Sequence, residues 1–453
     1  MKVLMFGWEF PPHISGGLGT ACFGLSQSLA KKNTHILFVA PRTSDHQTFD
    51  GIEVISASNI PVPIKAIDKY FPVAASSEKI KIKRKEHSGR LTSITITSDL
   101  LPYSYGDSIF TEASIEQWNY QLKDSPKIRS AENEDKTQKK YHFSGGYGSH
   151  LLEEVKRYAI VAGQIAKKNS FNVIHAHDWL TYPAGIEAKR ISGKPLIIHV
   201  HATEYDRAGE NINQRIFEIE RIGMEKADRI IAVSQLTKNI IVSRYNISPA
   251  KVSVVHNGVA PKRNNNGIVL PPIGKHIVTY LGRVTRQKGP GYFIEAAHKV
   301  IQKFPNVHFV MAGAGDLLPK MIERVAALKL SSHFHFTGFL NTTKVDQIWA
   351  ISTIYVMPSV SEPFGIAPLE AIMAGVPVII SNQSGVAEVL QHAIKVDFWD
   401  TEALASAICD LLTYKSLTNT LKEKSEVEIK KINWSMAAKK INTIYHELTT
   451  KSK

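Results

Sequence analysis

The sequence has little cysteine. Cys22 and Cys409 are the only cysteines among 453 residues, and they form no Cys-x-x-Cys pair. We therefore expect no disulfide framework, and the composition is typical of a protein kept in a reducing compartment.

Long apolar runs are also missing. No stretch approaches the roughly 20 apolar residues that a membrane-spanning helix needs. The first apolar run, residues 3–6, is short and is soon followed by Glu9, whereas an export signal carries a longer apolar region. These features predict a cytoplasmic protein, and a hydrophobic fraction of 43% allows it sizeable cores.

Acidic residues are outnumbered. The chain has 41 Asp and Glu against 55 Lys and Arg, which gives a net charge of +14. Such a surface attracts phosphates, nucleic acid or acidic lipid, although scattered solvated lysines produce the same total. Because the sequence has no zinc-finger spacing and no aromatic RNA-binding signature, we expect no nucleic-acid partner.

Short apolar runs alternate with helical patterns in both halves of the chain. This alternation is typical of parallel sheets that are covered by helices on both faces. The sequence therefore predicts an α/β protein with two doubly wound, Rossmann-like domains. The expected strands cover residues 3–6, 36–39, 173–175, 196–200, 230–233 and 252–255, then 277–281, 307–312, 335–337, 354–357 and 376–380.

The domain boundaries are predicted from the places where this alternation stops. The first domain covers residues 1–262 and carries a polar insertion at about 61–144. A polar linker, at about 261–274, leads into the second domain, residues 263–433. The tail, 434–453, begins with an apolar helical stripe that we expect to pack on the body of the protein. Contact of this helix with a membrane surface is the less favoured alternative.

In doubly wound folds, ligands bind beyond the carboxyl ends of the strands. Gly16 and Gly17 lie in such a position, just before a helical segment. Glycines let the backbone approach a ligand closely, and a helix N-terminus offers unpaired N–H groups to a phosphate. A tight structural turn explains the same glycines equally well, so both interpretations stay open.

A second loop, residues 282–289, follows the first strand of the second domain. Its spacing is not that of a Walker A loop. Arg283 and Lys288 could converge on a diphosphate, because arginine grips two oxygens at once and lysine supplies a point charge. Solvated cations on a loop are the ordinary alternative.

Two carboxylates lie in the segment 361–370, which follows the strand at 354–357 and opens a helix. A carboxylate accepts hydrogen bonds from vicinal hydroxyls, while an acidic residue early in a helix also stabilises the helix dipole. We place Glu362 in the loop and Glu370 two turns into the helix, which is too deep for the dipole explanation.

Two His-x-His pairs end strands of the first domain: His175 with His177, and His199 with His201. Paired histidines beside acidic residues raise a zinc or iron hydrolase as one alternative. We expect instead that His201 and Asp178 face a sugar in the cleft. His175 and His199 would belong to the strands, on the argument that only one strand face points at any one site.

Together these loops resemble the retaining glycosyltransferases of the GT-B fold, especially the glycogen and starch synthase group and its broad sister family. The resemblance covers nearly the whole chain, and the spacer between Glu362 and Glu370 matches that family's E-x7-E motif. Two positions depart from the glycogen synthases: Ile14 stands where they usually have lysine, and Phe364 where the bacterial enzymes usually have cysteine. The anchors are Gly16-Gly17-Leu18, residues 175–179, His201, residues 256–259, Arg283, Lys288, Glu362 and Glu370.

The resemblance implies a catalytic group and a substrate-binding group of residues. In the first, Arg283 and Lys288 would hold the donor diphosphate, Glu362 the transferred sugar, and His201 the sugar near its reacting face. In the second, Glu370 would bind the ribose, and Gly16 and Gly17 would meet the phosphates across the cleft. The remaining residues of the second group, which would line the donor-sugar pocket, are Asp178, Asn257, Phe364, Gly365 and Ile366.

The implied activity is transfer of a hexose, glucose first, from an ADP- or UDP-sugar to a carbohydrate acceptor such as an α-glucan. The nucleotide sugar is a substrate, and neither a cofactor nor a metal is expected, since no Asp-x-Asp motif stands in a suitable loop. The alternatives are a nucleotide-sugar 2-epimerase of the same fold, transfer to a lipid-linked glycan, a binding protein without turnover, and the metal-dependent hydrolase.

Overall fold

The computed structural model describes residues 1–11, 16–43, 48–63, 138–148, 150–260 and 274–450. Most of the expected insertion (61–144) and most of the expected linker (261–274) lie outside these ranges.

Ten strands are described in the N-terminal half. Eight of them form one sheet in the order β10-β9-β8-β7-β1-β2-β4-β3, in which every neighbouring pair is parallel except β3 with β4. The other two, β5 and β6, pair antiparallel at the ends of the insertion. The strands are β1 (Lys2–Phe6), β2 (His35–Ala40), β3 (Thr48–Phe49), β4 (Ile52–Ser56), β5 (Val62–Pro63), β6 (Gln138–Lys139), β7 (Val173–His177), β8 (Leu196–Val200), β9 (Arg229–Ala232) and β10 (Val252–Val254).

Helices cover this first sheet, so the central strands β1, β7 and β8 are buried almost throughout. Burial on both faces explains why residues 3–6 of β1 form a continuous apolar run. In β7 and β8 the apolar residues are interrupted only by His175, His177 and His199, which are buried as well. The helices are α1 (Gly17–Ala30), α2 (Leu151–Lys168), α3 (Tyr182–Ser192), α4 (Glu204–Ala208), α5 (Gln214–Lys226) and α6 (Gln235–Arg244).

The second sheet has six parallel strands in the order β13-β12-β11-β14-β15-β16. Its strands are β11 (His276–Leu281), β12 (Val307–Ala312), β13 (Phe334–Gly338), β14 (Ile354–Met357), β15 (Val378–Ser381) and β16 (Ile394–Val396). The helices around it are α7 (Pro290–Lys303), α8 (Leu318–Ala327), α9 (Thr342–Ile351), α10 (Ala367–Met373), α11 (Thr401–Thr413) and α12 (Lys415–Ile429).

The expected α/β architecture with two doubly wound sheets is confirmed. The expected strands all occur, with ends that differ by one to a few residues. Five described strands, β3, β4, β5, β6 and β16, were not predicted: β4 alternates buried and exposed residues near the edge of the first sheet, β5 and β6 have two residues each, and β16 is only half-buried. Among the described residues, no helix is both long enough and apolar enough to cross a bilayer.

The last helix, α13 (Trp434–Thr450), returns to the first sheet, as the apolar stripe predicted. Its buried residues Ile441 and Tyr445 join a core cluster with Val3 of β1 and Leu25 of α1. Gly24 is needed at this contact, because a Cβ atom there would come within 2.4 Å of Trp434 Nε1. The chain therefore crosses between the two sheets a second time before it ends.

Each sheet has one point where the strand order reverses, and these points locate a site. In the first sheet the reversal lies between β1 and β7, and in the second between β11 and β14. Loops that leave neighbouring strands in opposite directions open a crevice at their carboxyl ends. The segments at and just beyond the carboxyl ends of these four strands carry Gly16 and Gly17, His177 and Asp178, Arg283 and Lys288, and Glu362.

Candidate active site

Lys288 and Glu362 meet at the reversal point of the second sheet. Lys288 ends a 3₁₀ turn, Arg286–Lys288, beyond β11, and its ammonium group forms an ion pair with the Glu362 carboxylate beyond β14. Ser359 Oγ donates a second hydrogen bond to that carboxylate, at 3.2 Å. The Lys288 side chain stays 21% exposed against 7% for Glu362, so the cation remains reachable by a ligand.

Backbone contacts hold the loop that carries Glu362. The Glu362 N–H donates to the carbonyl of Gln383 at 2.9 Å, and the Gly385 N–H donates to the Glu362 carbonyl at 2.8 Å. Gly365 has a φ of +98°, a conformation that favours glycine. The carboxylate is therefore presented from a fixed backbone rather than from a free loop.

Arg283 lies in the same crevice. The Tyr280 hydroxyl donates to the Arg283 carbonyl at 2.7 Å, and the Arg283 guanidinium lies 3.5 Å from Gln287 Oε1. The tight turn between Lys288 and α7 requires Gly289, which has a φ of +63° and whose Cβ would lie 2.0 Å from the Pro358 carbonyl oxygen. Both cations thus stand at the carboxyl end of β11.

The position expected for Glu370 is wrong by one helical turn. Helix α10 begins only at Ala367, after the turn at Gly365, so Glu370 lies in the first turn rather than two turns in. The dipole explanation therefore applies to it as well. Burial, and secondarily the negative charge of Asp346, raises the pKa of Glu370 to about 7.

Gly16 and Gly17 lie at the N-terminus of α1 and are exposed. A Cβ atom at either position would meet nothing within 4 Å, and Gly16 has an extended backbone with a φ of −171°. Neither packing nor backbone geometry therefore demands glycine here. Close approach of a ligand to the N–H groups of the first turn stays a prediction for these two glycines.

The argument that separated the histidines by strand face is wrong, whereas the assignment of His201 to the sugar stays a prediction; His175 and His199 do lie within β7 and β8. Residues two apart in a strand share a face, so both His-x-His pairs project from the same side of β7 and β8. The rings of His175, His177, His199 and His201 form one cluster with neighbouring centroids 4.3 to 5.4 Å apart. His177 Nδ1 and His201 Nε2 lie 2.9 Å apart, and burial lowers the pKa of His201 to about 3. The cluster is therefore neutral at physiological pH.

Asp178 acts on the loop beside His201. Its Oδ1 accepts hydrogen bonds from the backbone N–H groups of His201 at 2.7 Å and of Ala202 at 3.3 Å. These bonds hold Asp178 at a φ of +60°, an uncommon conformation for a residue with a side chain. Burial raises the pKa of Asp178 to about 6. The structure thus gives this carboxylate a positioning task that the sequence did not reveal.

The segment 256–259 joins the two halves of the site. His256 Nε2 lies 2.9 Å from Glu388 Oε2, and its ring faces that of Phe364 at a centroid distance of 5.9 Å. Asn257 is buried beside Gly258, whose Cβ would lie 2.2 Å from the backbone nitrogen of Trp434. Ile366 packs against core clusters of both sheets.

Further contacts close the crevice. Ser361 Oγ donates to Asp206 Oδ1 at 2.6 Å, and the Arg286 guanidinium donates to the Ala208 carbonyl at 3.2 Å. Helix α4, which follows β8, is therefore in direct contact with the segments that follow β11 and β14.

A buried ionic network supports the loop after His201, and sequence reasoning missed it. Arg207 binds Glu204 at 3.0 Å and also pairs with Glu220 of α5. Tyr245 donates a further hydrogen bond to Glu220. The spacing of Glu204 and Arg207 could have predicted their ion pair, since residues three apart meet on one face of a helix. The distant partners Glu220 and Tyr245 carried no such signal.

Comparison with protein families matches two models along the chain. Residues 130–263 match the description "Glycosyltransferase Family 4", and residues 262–427 match "Glycosyl transferases group 1". The two matches meet between the two sheets and together include most of the site residues.

Three individual proteins illustrate the similarity. The α-maltose-1-phosphate synthase of Mycolicibacterium smegmatis is 30% identical over 265 residues, which cover 52% of this chain and 68% of that protein. The glycogen synthase of Mycobacterium tuberculosis is 26% identical, with 91% of this chain and 86% of that protein covered. The structure of a sucrose-phosphate synthase from Thermosynechococcus elongatus superposes with a TM-score of 0.68 at 17% identity and covers 99% of both chains.

Proposed function

This chain belongs to the GT-B-fold glycosyltransferases, and we propose that it transfers glucose from a nucleoside diphosphate sugar, ADP- or UDP-glucose, to a carbohydrate acceptor. The observation that carries the proposal is the pairing of Lys288 with Glu362 at the reversal point of the second sheet. A cation for the diphosphate and a carboxylate for sugar hydroxyls stand side by side there.

The leaving diphosphate gains negative charge as the glycosidic bond breaks. Fixed positive charge placed where that charge develops is usually the largest catalytic contribution. Arg283 and Lys288 supply it from the loop after β11, and the exposed N-terminus of α1 at Gly16 and Gly17 supplies N–H donors from the facing sheet. Closure of the two domains on the bound donor would exclude water and limit hydrolysis of the donor.

We propose that the anomeric configuration is retained through attack on the face that the diphosphate leaves. Enzymes that retain configuration by a covalent intermediate place two carboxylates about 5–5.5 Å apart. Two carboxylates near the crevice already have partners other than the reacting carbon. Glu362 is paired with Lys288, and Asp178 accepts hydrogen bonds from two backbone N–H groups. Methylation analysis and NMR of the product with a glucose donor would reveal an α linkage, whereas a β linkage would contradict retention.

An α-glucan is the first acceptor to test. The support is the similarity to a glycogen synthase and to an α-maltose-1-phosphate synthase. The experiment is a screen of ADP- and UDP-sugars that measures nucleotide release with and without glycogen. Release that depends on glycogen supports the proposal, and release without any acceptor together with an isomerised sugar indicates the 2-epimerase. Release that requires a lipid-linked glycan moves the acceptor to that class.

The two carboxylates of the E-x7-E motif should separate in their effects. We expect Glu370→Gln to raise the donor KM and to weaken binding of the free nucleoside diphosphate, because the ribose is held equally before and during the reaction. Glu362→Gln should lower kcat and leave nucleotide affinity nearly unchanged, because sugar contacts strengthen in the transition state. Calorimetry with the free nucleotide tests this division, and an equal loss of affinity in both variants refutes it.

Transfer should survive removal of metals. Two cations of the chain already face the diphosphate, so we expect unchanged or higher turnover after dialysis against a strong chelator. The measurement is nucleotide release before and after chelation, with metal content determined in the same sample. Loss of turnover that zinc or iron restores would show that the paired histidines are catalytic ligands.

A further inference from the structure

A thiol lies beside two of the clustered histidines. Cys22 is on α1, His177 ends β7, and His201 follows β8. One ligand atom from each of the three residues lies within 4.8 Å of the other two. A thiolate with two imidazoles is the donor set that zinc and neighbouring transition metals prefer.

The two imidazoles are close to the spacing of a metal site. His177 Nδ1 and His201 Nε2 are 2.9 Å apart. Two nitrogens bound tetrahedrally to zinc at about 2.0–2.1 Å are separated by about 3.3 Å. A separation wider by a few tenths of an ångström, with the rings rotated so that both lone pairs face the ion, would convert this contact into coordination by two imidazoles.

A second candidate set, which consists of three histidines, is less suitable for binding a metal ion. Its members, His175, His177 and His199, are buried, and a nitrogen of each lies within 4.8 Å of the others. The rings of His175 and His199 are nearly parallel to one another, however, with an interplanar angle of 17° at 5.4 Å. The lone pair of an imidazole nitrogen lies in the ring plane, so stacked rings direct their lone pairs alongside each other rather than toward one ion.

We propose that Cys22, His177 and His201 form a binding site for a divalent transition-metal ion, zinc first, and that zinc bound there inhibits sugar transfer. The inhibitory part rests on the proposed function, because it assigns His201 to the sugar. His201 is the only one of the three that is not fully buried, so the ion would enter from the cleft and hold the ring that the sugar would otherwise contact.

The proton balance of binding is simple. Zinc takes the place of the thiol proton of Cys22, which leaves to solvent. The imidazole that holds the N–H between His177 and His201 moves that proton to its other nitrogen. His177 can accept it there, since its Nε2 is buried without a hydrogen-bond partner among the described residues. One proton is therefore released per zinc bound.

Binding is tested on the chelator-treated full-length protein by titration with zinc against a chromophoric competitor, and with cobalt(II) as a spectroscopic probe. We expect one tight equivalent and a cobalt–thiolate charge-transfer band. Cys22→Ala and Cys22→Ser should each weaken zinc binding at least about 100-fold, since even outer-shell losses cost about 10–100-fold. The matched control is Cys409→Ala, which removes the half-buried cysteine of α11 and should bind as the wild type does.

His199→Asn distinguishes the Cys22-His177-His201 site from the three-histidine set, because His199 belongs only to the latter. It should retain the cobalt–thiolate band, whereas the Cys22 variants lose it. Unchanged affinity in both Cys22 variants, or loss of the metal only in His199→Asn, would overturn the proposal. Melting temperatures of every variant show which of them are folded, and Cys22→Ser serves if Cys22→Ala is not.

Inhibition of sugar transfer by zinc is measured separately from zinc binding. With the donor found in the screen, zinc should inhibit the wild type and Cys409→Ala at concentrations that leave Cys22→Ala active. If no donor supports transfer, the proposed function fails while the binding titration still decides the site. If zinc binds with Cys22 and transfer is not inhibited, the assignment of His201 to the sugar is wrong.

Discussion

Replacing Lys288 or Arg283 with alanine should lower kcat about 100–1,000-fold, the range measured when one preorganised donor to a developing negative charge is removed. Lys288 is the stronger test, because its ammonium group is already fixed against Glu362 before any ligand binds. The measurement is steady-state nucleotide release with a saturating donor. Near-wild-type turnover in both variants would contradict the assignment of these cations to the diphosphate.

The chain offers a matched control for Lys288. Lys299 also forms an ion pair with a glutamate, Glu402, but on the outer surface of the same half of the protein. Lys299→Ala should therefore keep normal turnover. A second control asks whether the loss comes from leaving the Glu362 carboxylate unpaired. If adding Glu362→Gln to Lys288→Ala restored kcat, the lysine would serve the glutamate rather than the leaving group.

The framework of this fold was predictable because its strands are buried on both faces. Runs such as residues 3–6 are apolar throughout, as a central parallel strand that is buried on both faces requires. Strands β4 and β16 were not predicted because they are not buried on both faces. β4 alternates buried and exposed residues, and β16 buries only Val396. Helix ends are harder still, since the turn at Gly365 delays α10 and moves Glu370 into its first turn.

The candidate site was predictable as a set of loops but not as a set of contacts. Lys288 and Glu362 are 74 residues apart, and their meeting follows from strand order, which no local pattern contains. The four histidines were identified in the sequence, but they were placed on different strand faces. Residues two apart in a strand share a face, and the structure shows the two pairs on the same side of the sheet. Asp178 was assigned to a sugar from its place at a strand end and from the family resemblance. Its hydrogen bonds to the backbone N–H groups of His201 and Ala202 could not be predicted, because backbone partners carry no sequence signal.

Replacing Arg207 with alanine should lower the free energy of unfolding by about 3–5 kcal/mol, the usual result of removing one partner of a buried ion pair. The Arg207 side chain is 8% exposed, and its partners Glu204 and Glu220 are 0% and 1% exposed. The variant leaves two carboxylates in the interior with no cation. Urea unfolding followed by circular dichroism measures the change.

The matched control lies on the same helix as Glu220. Arg221 forms two ion pairs on the exposed side of α5, with Glu218 and Glu225. Exposed ion pairs are screened by water and contribute little to stability, so Arg221→Ala should cost far less than Arg207→Ala. Equal losses in the two variants would mean that the buried network contributes no more than a surface pair.

The pH dependence gives the Arg207 prediction a second readout. Burial raises the pKa of Glu220 from 4.5 to about 7 even though Arg207 lowers it. A folded-state pKa above the unfolded value makes the folded protein hold its proton more tightly, so this contribution to stability is present below pH 4.5 and is lost as the pH rises through 7. Without Arg207 the pKa rises further, and the penalty grows with pH. Arg207→Ala should therefore be closer to the wild type at pH 5 than at pH 8, and a loss that is the same at both values would show that the arginine stabilises the loop by packing alone.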